Sequence, residues 1–487
     1  MLDYTGHPLV DVGIATIAAF AGKRNPETLT EADLDAVVDY MQRNYTVDPL
    51  KSFLSVAFPN SGFTQPAYNT QPEKRQIYAD RVLRAYRSDV PSLDVPCVFT
   101  GKPAVAVPLD VKGELQPGRT FRQHIPLLTG EGVINFYPYG DAGLPVCGLA
   151  LLAIQALPLG CAKVGGRLLA VHSNDPNLMY EFARRFLEQN RRNILTAQQA
   201  GEKKLAEHPH WPGTTVIATL LDLEGWRADA AKEDRPVSIT AYHFSNSGQG
   251  VDLKLYNLPL EIASFVITAM TPHYHAAWMA LCARGWEIAW GRAARTGEPF
   301  TPRYNLLYED LFDLPESSAR FIRRYLLRIP ARRPRLPGDP AVNYSIREDA
   351  DLVSWDLTAL FLRKVVNMNS NRIEQIRRLG DTLAAYISDE NERRFFQSFL
   401  MARRYDDLRA LLIRASVARI KRGQAPLIAF DPYIEVFEEG AELPYTDWRL
   451  ARDLVLIRMI EQLHHLGWLR THAEEIVEPA EEEESNA

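Results

Sequence analysis

The chain has 487 residues, 46% of them hydrophobic and 24% charged, with a formal net charge of −6 and four cysteines. That length supports two to four domains with sizeable cores. No apolar run of 18 or more residues is free of charge, which excludes a transmembrane span; the opening MLDYTGHPLV has no basic region or cleavage pattern, so no secretory signal is expected, and so few cysteines fit a reducing, cytoplasmic compartment.

In chain order, Asp11–Ala21 reads as an apolar, small-residue helix ending at Gly22. Thr30-Glu-Ala-Asp33 matches a capping box, and an amphipathic helix to Met41 follows. Residues 49–68 read as a polar loop carrying Asn60, Ser61, Gly62, Phe63, Thr64 and Gln65, of the kind that can contact a nucleic-acid groove. Gln71–Arg87 is a basic helix. The block Cys97–Ser173 is a series of short apolar runs broken by Gly and Pro. VINFY and GRLLAVHS read as strands, and Gly165–Gly166 stands where a tight turn needs positive φ. Two tetrads, Cys97-Val-Phe-Thr100 and Cys147-Gly-Leu-Ala150, have the form of C-x-x-C pairs that have each lost the second cysteine. Four-thiolate zinc needs all four, so Cys97 and Cys147 are expected to be buried packing residues without metal. A mixed site recruiting His124 or His172 is the weaker alternative.

Asn174–Lys204 reads as a helix with Pro176 in its first turn and Asn174 or Asp175 as the cap. Its apolar face holds Leu178, Phe182, Phe186 and Leu187. Arg184, Arg185, Arg191 and Arg192 lie largely elsewhere, either as a solvated face or as phosphate contacts. PVSITAYHF, SNSGQG and VDLKLYNLP read as strand, turn and strand, with Ser245, Asn246, Ser247 and Gln249 at the tip. Asn-Ser-Gly is good turn chemistry; Asn and Gln can also pair with a base edge. His273 and His275 are two apart and so point to different helix faces, which disfavours a shared metal. Trp278, Trp286 and Trp290 are expected in the core. RFIRRYLLRIPARRPR (320–335) holds seven Arg and no acid, a concentration that favours contact with nucleic acid or an acidic neighbour. After it the pattern becomes all-helical. Residues 352–424 carry fourteen Lys/Arg against eight acids, and 425–487 four against fifteen, so the bundle is two-faced in charge. Glu481–Glu484 is an acidic tail, expected to be disordered.

Six words of this sequence carry a resemblance: VDVGIATIAAFAGK, CVFTG, LLTGEGVINF, GLPVCG, LPLGCAKVGGRLLAVHS and AYHFSNSGQG. Through them the chain resembles the CXXC–CXXC family of CRISPR-associated proteins, the large subunit of type I-B Cascade. The likeness covers roughly residues 10–265 and departs from the family pattern at Thr100 and Ala150. It implies an α+β fold. A mixed N-terminal region (1–335), with β-hairpins and a degenerate zinc-knuckle-like element at 97–173, precedes a linker (336–350), a C-terminal helical bundle (351–474) and an acidic tail (475–487). The family also makes its bundle separately as a small subunit, which implies an internal start near Met368.

The implied function is non-catalytic: recognition of the protospacer-adjacent motif (PAM) in duplex DNA, help in unwinding, R-loop stabilisation, and recruitment of a helicase-nuclease or of transposition proteins. Partners would be CRISPR RNA, target DNA and the other Cascade subunits, with no membrane. Asn246 and Gln249, with Ser245 and Ser247, are the implied PAM readers, and Asn60 and Gln65 the second choice. Backbone contacts would come from Arg184, Arg185, Arg191, Arg192, Arg323, Arg324, Arg332, Arg333, Arg372, Arg377 and Arg378. No metalloprotease, hydrolase-elbow or Walker motif is present. The competing reading is a metal-dependent nuclease or hydrolase using His124, His172, His273 and His275; a purely scaffolding helical protein is disfavoured by the Arg segments.

Overall fold

The computed structural model describes residues 2–128, 142–232, 235–246, 250–438 and 448–479. The VINFY segment, Ser247, Gln249 and Glu481–Glu484 lie outside them. The chain is mixed α+β and forms two compact units, Met1–Trp226 with Val237–Pro259, and Arg227–Pro236 with Leu260–Ala487. The Pro–Arg stretch read as a linker therefore falls inside the second unit, where Pro340, Ala341, Tyr344 and Ile346 are buried. Among the described residues no helix is long and apolar enough to cross a membrane.

The first unit is built around the helix Pro8–Ala21. Leu9 to Ala18 are all buried, so this helix has no solvent face. A helix apolar all round must be enclosed on every side. Small residues allow the close approach: a Cβ on Gly13 would lie 2.0 Å from the Ala153 carbonyl oxygen, and one on Gly160 would lie 2.0 Å from Thr16 Oγ1. Gly22 ends the helix in the left-handed region at φ 68°, as the sequence pattern requires. The one charge in the buried run, Asp11, is satisfied. It accepts from Thr5 N (2.7 Å), Thr5 Oγ1 (2.9 Å) and Gly6 N (2.9 Å), and His172 Nε2 stands 3.6 Å away. These bonds hold its carboxyl below the usual value against the opposing effect of burial. The same side chain ties the helix start to the sheet.

The sheet has four antiparallel strands in sequence order: Ala162–Val164, Arg167–Ser173, Ile239–Ser245 and Asp252–Leu258. Gly165 and Gly166 turn the first pair with φ 54° and 77°, the two positive values that a tight hairpin turn needs. The predicted hairpin pairs Ser245 with Asp252 and Ile239 with Leu258. The long helix Pro176–Ala200 starts on Asp175, whose carboxylate accepts from Asn177 N (2.8 Å) and Leu178 N (3.1 Å). Thr30 and Asp33 form the expected capping box, and the helix they start runs Glu31–Asn44.

In the second unit the helices after Met368 do not close on themselves. Asp453 pairs with Arg323 at 2.9 Å, Glu461 accepts from Trp355 N at 2.8 Å, and Glu478 accepts from Ser345 Oγ at 2.7 Å. Trp278 is fully buried against Phe265, whereas Trp290 is 44% exposed; the expectation of a core position thus holds for Trp278 and not for Trp290, which ends beside the exposed helix Gly291–Thr296.

Two outcomes are expected. Gly13→Ala should destabilise the first unit by about 2–3 kcal/mol through overpacking, outweighing a helix-propensity gain of about 1 kcal/mol. Gly225→Ala, where an added Cβ meets nothing within 4 Å, should be neutral or slightly stabilising; denaturant unfolding compares the two, and an unchanged midpoint for G13A would refute the close helix crossing. The second outcome concerns pH. His124 is fully buried, takes the Phe121 N–H on Nδ1 (3.2 Å) and donates from Nε2 to the Leu109 carbonyl (2.8 Å), and burial pushes its pKa from 6.5 to about 4. The unfolded chain binds this proton below about pH 6.5 and the folded chain does not. The stability it contributes is present above pH 6.5 and falls by up to about 3 kcal/mol as pH drops to 4. In histidine-labelled NMR spectra of the folded chain its ring should still be neutral at pH 5; a protonated ring there would contradict the geometry.

Candidate nucleic-acid interface

The hairpin root and the polar loop, separated by nearly 190 residues, stand side by side. Asn246 N donates to the Val56 carbonyl at 2.8 Å, and Val56 leads directly into the loop. Phe58 and Phe63 anchor that loop in the core; Phe63 packs edge-on against Tyr78 (4.9 Å) and Tyr45 (5.6 Å). Gly62 is required because a Cβ would lie 2.3 Å from the Tyr78 ring. Between the two anchors the chain turns outward at Asn60, whose φ of 63° is unusual for a side-chain-bearing residue. Asn60 is exposed and Gln65 half-buried.

The side chain of Asn246 is only 1% exposed, and neither its Oδ1 nor its Nδ2 has a hydrogen-bond partner among the described residues. Its carbonyl accepts from Arg122 Nη2 at 3.4 Å. Asn246 was expected at an exposed tip; it sits instead in the wall between strand and loop. Ser245 is likewise buried as the last residue of its strand. Arg122 is the contributor that sequence reasoning missed, since nothing local marks it.

The arginines divide by helical phase and by the acids that reach them. On the helix Pro176–Ala200, Arg184 pairs with Glu181 (2.8 Å) and Glu188 (2.7 Å), and Arg191 lies over the Phe20 and Tyr40 rings at 5.2 and 5.6 Å. These two, seven apart, serve the fold. Arg185 and Arg192, also seven apart, lie about 100° further round the helix. Arg185 pairs with Asp222 at 2.9 Å, and Arg192 is exposed with no partner among the described residues.

The run 320–335 contains no acid, yet the fold brings acids to most of it. Arg320 meets Asp313 (3.1 Å), Arg323 meets Asp453 (2.9 Å), buried Arg324 meets Asp310 (3.3 Å), and Arg335 meets the same Asp310 (2.5 Å). Arg328, fully buried, pairs with Asp349 at 2.5 Å and stacks 3.5 Å over Tyr344. Only Arg332 and Arg333 remain exposed and unpaired among the described residues. Further on, Arg372 is buried and donates to the Val436 carbonyl at 3.2 Å. Arg377 and Arg378 share Glu374 at 2.8 Å each, surface pairs that a phosphate can displace at small cost. The buried positions Arg324 and Arg372 are thus corrected from backbone contacts to internal ones, because desolvated guanidinium groups are held where their partners are.

Cys97 and Cys147 meet. Cys97 lies in the turn between strands Ser92–Pro96 and Pro103–Val105, and Cys147 precedes the helix Gly148–Ala156. Thr100 Oγ1 stands 3.3 Å from Cys147 Sγ. The hydrogen bond from Cys147 draws the Cys97 thiol well below its ordinary value, while that bond and burial push Cys147 up. Among the described residues no group of three or more His, Cys, Asp or Glu could hold a metal ion. His124 spends both nitrogens on backbone, His172 faces Asp11, and His273 stands 3.5 Å from Asp356 on an exposed helix turn with His275 also exposed. The four histidines of the hydrolase reading therefore have separate surroundings.

Comparison with protein-family models, with curated proteins and with solved structures finds no match to this chain.

The division among arginines is testable by stability. Asp349→Ala strands the buried Arg328 charge and should cost about 3–5 kcal/mol. Arg332→Ala with Arg333→Ala should change stability by less than about 0.5 kcal/mol. Chemical denaturation of both variants reads the difference; equal effects would contradict the assignment.

Proposed function

We propose that this chain is the non-catalytic large subunit of a type I-B CRISPR RNA-guided surveillance complex, reading a PAM in duplex DNA and supporting the displaced strand in the cytoplasm. The observation that carries the reading is the convergence of the Asn246 hairpin root with the Asn60–Gln65 loop. The backbone of Asn246 is bonded to Val56, four residues before Asn60, so the two polar segments nominated as groove contacts are neighbours. An amide buried with donor and acceptor both unpaired costs about 1–3 kcal/mol. Turning Asn246 outward onto a base edge removes that cost, since an amide can pair bidentately with adenine.

The exposed pair Arg332–Arg333 and the displaceable Arg377–Arg378 pair supply phosphate contacts, the sequence-independent part of such binding. Pairing with the guide reads the target, so the protein needs only a short motif reader and a backbone track. In this reading the Cys97–Thr100 turn and the Cys147–Ala150 helix start are a degenerate zinc-knuckle-like element, with thiol and hydroxyl contacts where four thiolates would close a metal site. Its partners are CRISPR RNA, target DNA, the other Cascade subunits and a helicase-nuclease or transposition machinery.

Duplex binding by the assembled complex tests the proposal. Asn246→Ala with Gln249→Ala should lose at least tenfold discrimination between PAM and non-PAM duplex while keeping its salt slope. Arg332→Ala with Arg333→Ala should weaken all duplexes equally and reduce the slope of log K against log salt by about 1.8. A wild-type complex with no duplex preference would sink the proposal; equal discrimination by the double amide variant moves the reader to Asn60 and Gln65.

A further inference from the structure

A cavity of about 350 Å³ opens between the Pro176–Ala200 helix, the segment 206–210 and the helix Pro212–Asp222. That volume is at the small end of ligand pockets, roughly 300–1,000 Å³. Its charges are balanced: Lys163 lies 3.5 Å from Glu207, and Arg185 lies 2.9 Å from Asp222. A bare anion therefore finds no excess positive charge, and the acids are too dispersed for a cation.

What the cavity offers instead is a neutral hydrogen-bonding edge. Gln189 Nε2 donates to Asn193 Oδ1 at 3.3 Å. That bond leaves Gln189 Oε1 as an acceptor and Asn193 Nδ2 as a donor, both unpartnered among the described residues. Across from them, His208 Nδ1 takes the His210 backbone N–H at 3.4 Å and lies 3.1 Å from Thr215 Oγ1. Taking Nδ1 as the acceptor of that N–H assigns the ring proton to Nε2, a second donor with no partner among the described residues. Burial pushes its pKa to about 4, which keeps the ring neutral. The buried Phe186 ring contributes an apolar wall. Arg192, exposed, shares the helix stripe of Arg185 and Gln189.

We propose that this cavity holds one unpaired nucleobase of a single strand, with Gln189, Asn193 and His208 reading its edge and Arg192 contacting the adjoining phosphate. A planar heterocycle with alternating donors and acceptors matches an acceptor flanked by donors, and a charge-balanced site with an exposed arginine three residues along the helix from Gln189 suits a base inside and a phosphate outside. The inference deepens the nucleic-acid reading above and rests on it only for which strand is bound.

The test titrates the purified full chain with AMP, GMP, CMP and UMP, and with ten-nucleotide single strands of DNA and of RNA, with inorganic phosphate as competitor. At least one base should be preferred, phosphate alone should compete poorly, and Gln189→Ala with Asn193→Ala should weaken binding about tenfold without changing thermal stability. Arg192→Ala should lower strand affinity and salt slope while leaving the base preference intact. The tighter of the DNA and RNA strands identifies the source of the base. Binding of none of the four monophosphates and neither strand, an undiminished preference in the double variant, or phosphate competing as well as a nucleotide each overturns the inference. Duplex binding by the assembled complex is measured alongside. Duplex discrimination without base binding removes only this site, and base binding without duplex discrimination removes only the large-subunit reading.

Discussion

From Leu9 to Ala18 the first helix has no side that water can touch, and the first unit is the solution to that constraint. A helix enclosed on every side needs neighbours that come close, and closeness needs missing side chains: Gly13 beneath Ala153, Gly160 against Thr16. The hydrophobic gain is proportional to the area removed from water, but it is realised only where the backbones can approach. Asp11 then fixes how the helix enters the core. Its carboxylate collects the N–H groups of Thr5 and Gly6, just before the helix, and faces His172 on the sheet.

The second unit depends on a different interaction, the pairing of arginine with distant aspartate. Asp310 serves Arg324, Arg335 and the Tyr325 hydroxyl (2.7 Å) at once, and Asp349 serves Arg284 and Arg328. Breaking such buried pairs is costly because the remaining charge is left without water or partner. A segment that looks purely basic along the chain has five of its seven arginines paired in space, by four aspartates. What it leaves for an external partner is two neighbouring residues, Arg332 and Arg333, and these define the surface on which a phosphate backbone would find unspent charge.

Local chemistry was legible wherever it is decided within a few residues. The Thr30–Asp33 box, the Asp175 cap, the Gly22 stop, the Gly165–Gly166 turn and the 239–258 hairpin all stand where the sequence pattern places them. The candidate site was only half legible. Asparagine at a turn signals a tip, but whether its amide points to water is decided by packing, and at Asn246 the Val56 carbonyl and Arg122 draw it into the wall. The four arginines of the Pro176–Ala200 helix were visible as a group; helical phase separates them, and only the acids and rings on the neighbouring elements reveal which phase is outward.

The sequence by itself determined the Thr30 and Asp175 caps, the Gly22 stop, the Gly165–Gly166 turn, the apolar core of the first helix and the absence of familiar catalytic motifs, because these depend on residues within one or two turns of each other. Tertiary structure alone decided which charges are free, which amides are unpaired, and which segments share a surface. Coulomb attraction and hydrogen bonding act through space and not along the chain. Asp453 neutralising Arg323, Cys147 meeting Cys97, and Asn246 lying against Val56 are invisible until the fold has brought them together.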